Sequence, residues 1–149
     1  MDVINFLKDF DLAALLPSLD AFEGTAKFLL WILMAVGPVL MLLLGVMYYA
    51  KPPAEANFSW GFRTYFGMSS VAVWRYTQRI AGMCWIVLGG AMAAVALFLG
   101  FLFLPLHAGA AAVIAIWVVS IELILVILSW IGINIMVLKH YDKDGNLRQ

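Results

Sequence analysis

Three long runs of apolar residues dominate the chain, and short polar connections separate them. The runs cover residues 28–50, 80–104 and 108–138, and the first two contain no charged residue. A helix needs about 20 apolar residues to cross about 30 Å of hydrocarbon at 1.5 Å per residue. The pattern therefore predicts an all-α membrane protein with three transmembrane helices.

The polar parts of the chain divide it further. Residues 1–27 place apolar side chains at helical spacing with acidic residues between them, which predicts an N-terminal amphipathic helix. Residues 51–79 form a loop between the first two spans, and residues 139–149 form a C-terminal tail. Residues 28–138 are expected to fold as one membrane domain.

The composition agrees with a membrane protein. The chain is 65% hydrophobic and 12% charged, with a mean hydropathy of +0.99, whereas soluble domains are about 45–50% apolar and about 25% charged. Nine acidic and nine basic residues cancel, so we expect the lipid bilayer and no nucleic acid as a partner. The chain shows no catalytic triad, metal-ligand spacing or phosphate-binding glycine loop, so we expect no enzyme, no metal and no cofactor.

The positions of the basic residues predict the orientation. Cytoplasmic flanks of membrane spans retain Lys and Arg during insertion. With three spans, the loop at 51–79 and the C-terminal tail lie on one side, which holds seven of the nine Lys and Arg residues. We therefore expect the N-terminus outside the cell and the loop and C-terminus in the cytoplasm.

The loop between the first two spans contains residues that end one helix and begin the next. It opens with "KPPAEAN", and its two prolines are expected to end the first helix. Ser70 then offers an N-cap for a helix in "VAVWRYTQRIAG". This helix would run on into the second span.

A membrane anchor explains part of this loop. On a continuous helix, Arg75 and Arg79 lie one turn apart near the lipid headgroups, and Trp74 lies at the same interface. Arg63 and Thr64 are not explained in this way, because they lie well before the second span. They are the residues for which we expect a function other than anchoring.

The loop reads "NFSWGFRT" from residue 57 and "WRYTQRIAG" from residue 74. This resembles the signature of the SdpI-like family of bacterial integral membrane proteins. In that family an Asn-x-x-x-Gly-aromatic-Arg-Thr element precedes, at a fixed gap, a tryptophan and an Asn-Arg-x-x-Gly-like ending. The candidate binding residues that follow from the match and its surroundings are Asn57, Gly61, Arg63, Thr64, Ser70, Trp74, Arg75, Gln78, Arg79 and Gly82.

Three departures from the family pattern are visible. Tyr65 stands where the family often has proline, and the basic residue that commonly follows is absent. Gln78 stands where the family has asparagine. The chain is similar to the short, single-motif form of the family.

The resemblance implies a role like that of the family's namesake in the plasma membrane of a bacterium. The namesake is an immunity protein that protects a producing cell against a secreted peptide toxin. It also relays the presence of the toxin by holding a transcriptional repressor at the membrane. The implied partners are a peptide toxin and a cytoplasmic regulator.

Two other classes of function stay open. One is a small oligomeric transporter or channel subunit that uses Glu122 in the third span, with Asn134 extending a polar stripe towards the cytoplasm. The other is a structural or accessory subunit of a membrane complex. For Glu122 itself, a structural hydrogen bond, a contact with a ligand or toxin, and the handling of protons or ions are all open.

Small residues recur along one face of the second span. Gly89, Ala93, Ala96 and Gly100 are spaced so that another helix can approach closely. Packing within one subunit and homo-oligomerisation are the two interpretations of this stripe.

Overall fold

The computed structural model describes the backbone of residues 12–56, 59–142 and 144–148, with the side chains from residue 22 onward. Three long α-helices account for most of these residues. They are α1 (Leu12–Ala50), α2 (Val71–Leu102) and α3 (Ala108–His140).

Each helix is long and apolar enough to cross a membrane, α1 through its portion Phe22–Ala50 and α2 and α3 over their full lengths. Among the described residues, extended pairing is limited to one isolated bridge between Tyr141 and Leu147. The predicted all-α fold with three membrane-spanning helices is confirmed.

The helix of the second span begins at Val71, as the N-cap signal predicted. The hydroxyl oxygen of Ser70 accepts a hydrogen bond from the N–H of Val73 at 3.3 Å, and the helix then continues without a break to Leu102. Its first nine residues were assigned from the sequence to the loop at 51–79. They carry most of the second half of the motif, which is therefore helical.

The N-terminal segment differs from the expectation in its described part. Residues 1–11 lie outside the described residues, and from Leu12 the chain is helical without a break to Ala50. Residues 12–27 therefore extend the first spanning helix. A continuous helix keeps every backbone group paired as it enters the membrane.

Helices α1 and α2 pack backbone to backbone. A methyl group added to Gly82 or Gly89 would lie 2.7 Å from a backbone nitrogen of α1, and one turn beyond Ala93 the carbonyl of Ala96 accepts a hydrogen bond from Trp31 Nε1 at 2.9 Å. Positions 82, 89 and 96 are seven residues apart, so they lie along one seam of α2. The small-residue stripe thus serves packing within one chain.

Two charged residues of α1 close the turn between α2 and α3. The Lys27 ammonium donates to the carbonyls of Leu104 and Leu106 at 3.3 and 3.0 Å, and the Glu23 carboxylate accepts from the N–H of Ala108 at 2.8 Å. A cation therefore meets the carbonyl end of α2 and an anion meets the amide end of α3, as the helix dipoles favour. These bonds fix the short turn between the two helices.

Helix α3 joins the bundle through a narrow buried face. The Ser129 hydroxyl accepts a hydrogen bond from Trp85 Nε1 of α2 at 3.2 Å and donates to the carbonyl of Val126 at 2.7 Å. The buried residues of this face recur at steps of four or seven. They are Ala111, Ala115, Glu122, Ser129, Ile133 and Val137.

We predict that Gly89→Leu destabilises the monomer by about 1–3 kcal/mol, because the side chain is forced into the backbone of α1. Gly132→Leu is the matched control, since no atom lies within 4 Å of an added methyl group there. Thermal unfolding in detergent micelles measures both changes. Equal midpoints for the two variants would contradict the packing described.

Candidate functional site

The centre of the motif is a pair of hydrogen bonds between one side chain and the backbone of the loop. Gln78 Oε1 accepts from the N–H of Phe62 at 2.8 Å, and Gln78 Nε2 donates to the carbonyl of Phe62 at 2.7 Å. Gln78 is fully buried. Its amide thus pairs with an irregular stretch of backbone in the way that a neighbouring strand would.

Trp74 fixes the other end of the loop. Its indole N–H donates to the carbonyl of Pro53 at 2.9 Å, just beyond the end of α1, and the side chain is 0% exposed. Trp74 is therefore a buried residue of the loop and does not present its indole to the lipid headgroups as an exposed anchor would. An indole serves equally well at an interface or in a core where its N–H has a partner.

Gly61 packs closely against the side chains of Trp74 and Gln78. Its φ is +116°, a backbone conformation that strongly favours glycine. A methyl group at this position would lie 2.7 Å from Trp74 Cζ2 and 3.1 Å from Gln78 Oε1. The motif glycine, tryptophan and glutamine therefore form one packed unit.

Thr64 is also part of the scaffold. It is 5% exposed, and its hydroxyl oxygen accepts a hydrogen bond from the N–H of Gly67 at 3.0 Å. Gly67 belongs to a short 3-10 helix, Phe66–Met68. Thr64 was expected to have a function other than anchoring, and its contacts fix the turn that leads into α2.

Phe62 inserts into the end of the helix bundle. It is 5% exposed and contacts Trp85 edge to face, with ring centroids 5.4 Å apart. It belongs to a buried cluster with Tyr48, Ala81 and Ile133, which come from all three helices. The loop is therefore a packed cap on this end of the bundle.

Arg63 lies between the buried residues Phe62 and Thr64, and it is exposed. It lines a cavity of about 420 Å³ at the junction of the loop and the helices. The other lining residues are Tyr48, Gly61, Phe62, Trp85, Val126, Ile127 and Trp130. A guanidinium at the edge of a mostly apolar cavity can bind an anionic group beside an apolar one.

The remaining motif residues serve two roles. Arg75 and Arg79 are exposed on α2, and the Arg79 guanidinium lies 6.0 Å from the ring centre of Tyr49, as an anchor near the headgroups requires. Gly82 allows the close approach of α1 described above. Asn57 lies outside the described residues.

The C-terminal tail folds against the start of α2. Asp142 accepts hydrogen bonds from the N–H groups of Asp144 and Asn146 at 3.0 and 2.7 Å. A methyl group at Gly145, whose φ is +81°, would lie 2.9 Å from the hydroxyl oxygen of Ser70. The motif serine thus caps α2 and contacts the tail.

Hydrogen bonding in this tail changes the pKa of the Asp142 carboxyl. The N–H of Asn146 lowers the pKa of the Asp142 carboxyl below its usual value. A group whose pKa is lowered by folding contributes stability above its unfolded pKa, which is lost as pH falls through the lowered value. The turn is therefore expected to hold at neutral pH and to loosen only in acid.

The two polar residues predicted within the membrane, Glu122 and Asn134, make different contacts. Glu122 is 8% exposed and faces α1, where a methyl group on Gly37 would lie 3.5 Å from Glu122 Oε2. The Asn134 amide donates to the carbonyl of Trp130 on its own helix at 2.9 Å, and Asn134 is not among the buried residues of α3. The polar residue on the buried face with Glu122 is Ser129.

Several structural residues of the site escaped sequence reasoning. Phe62 is the aromatic residue of the motif, and its place in "GFRT" was the available signal. Trp85, Ser129 and the tail turn at Asp142 carried no comparable signal. Within the described residues, no group of three or more His, Cys, Asp and Glu side chains is placed to hold a metal ion.

The fold and the loop define a class of protein. This is a multi-pass helical membrane protein in which a hydrogen-bonded loop caps one end of three spans. Residues 54–137 match the SdpI/YfhL protein family. Because this range covers more than half of the chain, the protein belongs to that family, as its motif indicated.

Two further comparisons gave no relative. No curated protein matched the chain, and no solved structure matched it either.

We predict that Gln78→Met loosens the loop while the three helices persist. The variant leaves the buried N–H and carbonyl of Phe62 without their partners, at a cost of about 1–3 kcal/mol for each group. The bond after Arg63 should then be cut faster by trypsin, because Thr64 is no longer held in the core. The rate of that cut in micelles is the measurement.

Cleavage after Arg148 provides the internal control, because this residue is exposed in the tail. Its rate should be the same in the Gln78→Met variant and in the unmodified protein. An unchanged rate after Arg63 would show that the paired hydrogen bonds do not hold the loop.

Proposed function

We propose that the protein is an immunity or sensing protein directed at a membrane-active peptide toxin, with the motif loop as its working surface. Membership of the SdpI/YfhL family supports this proposal. The motif is similar to that of the family's namesake, which protects a producing bacterium against a secreted peptide toxin.

One observation points to Arg63 as the binding residue. The motif residues around Arg63 are committed to the scaffold: Gly61 and Thr64 shape the backbone, while Trp74 and Gln78 hydrogen-bond to it. Arg63 is exposed between them at the edge of the cavity. A rigid loop that presents an arginine is suited to binding, since less conformational entropy is lost when a ligand arrives.

In this proposal Arg63 binds an anionic group of the toxin or of a regulator. Its planar guanidinium matches a carboxylate in a bidentate geometry that lysine does not reproduce. Arg75 and Arg79 hold the loop at headgroup depth.

The distribution of basic residues supports a cytoplasmic position for the loop and the C-terminus in a bacterial plasma membrane. A loop in this position is accessible to a cytoplasmic regulator, and we propose such a regulator as the second partner. The toxin would reach the loop through the membrane.

The role of Glu122 is proposed to be structural. Its burial against Gly37 of α1 supports a helix contact. Asn134 donates to its own helix, and Ser129, the other polar residue on the buried face, bonds to Trp85 and to the carbonyl of Val126. Both polar groups therefore have structural partners, which favours the structural role over the transporter alternative.

We predict that Arg63→Ala abolishes protection in a survival assay. The assay uses a strain that lacks the gene, complemented with each variant and challenged with membrane-active peptides. Arg63→Lys should restore protection only in part, because a lysine keeps the charge and loses the planar fork. Colony survival after challenge is the measurement.

Arg75→Ala is the matched control, because it removes the same charge from an exposed site on the helix outside the loop. It should keep most of the protection. If the gene deletion changes sensitivity to no peptide, or if Arg63→Ala protects as well as Arg75→Ala at equal membrane levels, the proposal is wrong.

A further inference from the structure

The cavity beside Arg63 has one wall that faces the membrane. Val126, Ile127 and Trp130 of α3 line it, and all three are exposed on the surface of the chain. They lie within the apolar span of α3, so in a bilayer lipid covers them. The cavity is therefore open to the membrane along its side and bounded by a cation at its loop end.

We propose that this cavity binds one anionic phospholipid from the surrounding leaflet. Its phosphate lies against Arg63, and the upper part of one acyl chain lies along Val126 and Ile127. Tyr48 and Trp85 form the inner wall, and their rings suit the boundary between headgroup and chain.

The charge around the cavity favours a lipid with net negative charge. Arginine binds phosphate oxygens in a bidentate geometry. The exposed basic residues Lys51, Arg75, Arg79 and Lys139 lie at the loop end of the three helices. Basic residues at a membrane surface attract anionic lipid towards that surface.

The size of the cavity favours a lipid over a folded peptide. A helix about 10 Å in diameter fills roughly 420 Å³ in a single turn of 5.4 Å. The cavity of about 420 Å³ therefore encloses no more than one such turn, and most of a longer helix would lie outside it. It is large enough for a phosphate and the adjoining part of an acyl chain.

This lipid site shares Arg63 with the function proposed above and does not depend on that function. The test uses purified protein and contains no toxin. A failure of lipid binding and a failure of protection are therefore observed in separate experiments.

The experiment is a lipid titration of the purified protein in detergent, read by native mass spectrometry. Phosphatidylglycerol, phosphatidylcholine, palmitate and inorganic phosphate are the four probes. We expect one saturable phosphatidylglycerol per chain, bound about fivefold more tightly than phosphatidylcholine. Palmitate and inorganic phosphate are expected to bind more weakly than phosphatidylglycerol.

Two variants test the two halves of the site. Arg63→Gln should remove the preference for phosphatidylglycerol. Ile127→Trp should fill the side of the cavity that faces the membrane and so lower the binding of both phospholipids. Their matched controls are Arg148→Gln and Leu128→Trp, which make the same changes at exposed positions that do not line the cavity. Both controls should bind phosphatidylglycerol as the unmodified protein does.

Three results would overturn the proposal. Equal binding of phosphatidylglycerol and phosphatidylcholine would show that the site does not recognise an anionic headgroup. Equal losses in Arg63→Gln and Arg148→Gln would show that binding depends on general surface charge and not on Arg63. If inorganic phosphate competes as strongly as phosphatidylglycerol, the site binds an anion and the acyl chain contributes nothing to binding.

Discussion

The paired hydrogen bonds between the Gln78 amide and the backbone of Phe62 hold the motif loop to the helix bundle. An irregular loop packed into the end of a membrane bundle has backbone groups that water does not reach, and each of them needs a partner. A glutamine on α2 supplies both a donor and an acceptor at once. Phe62 can therefore enter the core, and Arg63 is exposed as a consequence.

The motif divides into residues that build the loop and residues that face outward. Trp74 and Gly61 pack directly against each other, and Thr64 closes the turn that follows. Arg63 is exposed between these buried neighbours. Most of the described motif residues therefore build the scaffold of the loop.

Hydropathy and helix-capping rules predicted the three spans and the start of α2 at Val71, because both signals are local in sequence. The interior of the site depends on partners that are far apart in the chain. Gln78 pairs with a residue sixteen positions away, and Lys27 donates to the carbonyl of Leu106, seventy-nine positions away. The burial of Trp74 also could not be predicted, for a related reason. An indole suits an interface and a core equally, and only the carbonyl of Pro53 decides between them.

Hydrogen exchange of the Phe62 amide reports directly on the hydrogen bond that this amide donates to Gln78. The protein is labelled with ¹⁵N, placed in lipid nanodiscs and transferred to deuterated buffer. If Gln78 holds the loop, the Phe62 amide exchanges slowly, at a rate within the range of the helical amides of α2. Exchange at the rate of an unstructured peptide would contradict the account, because the amide would then have no lasting partner.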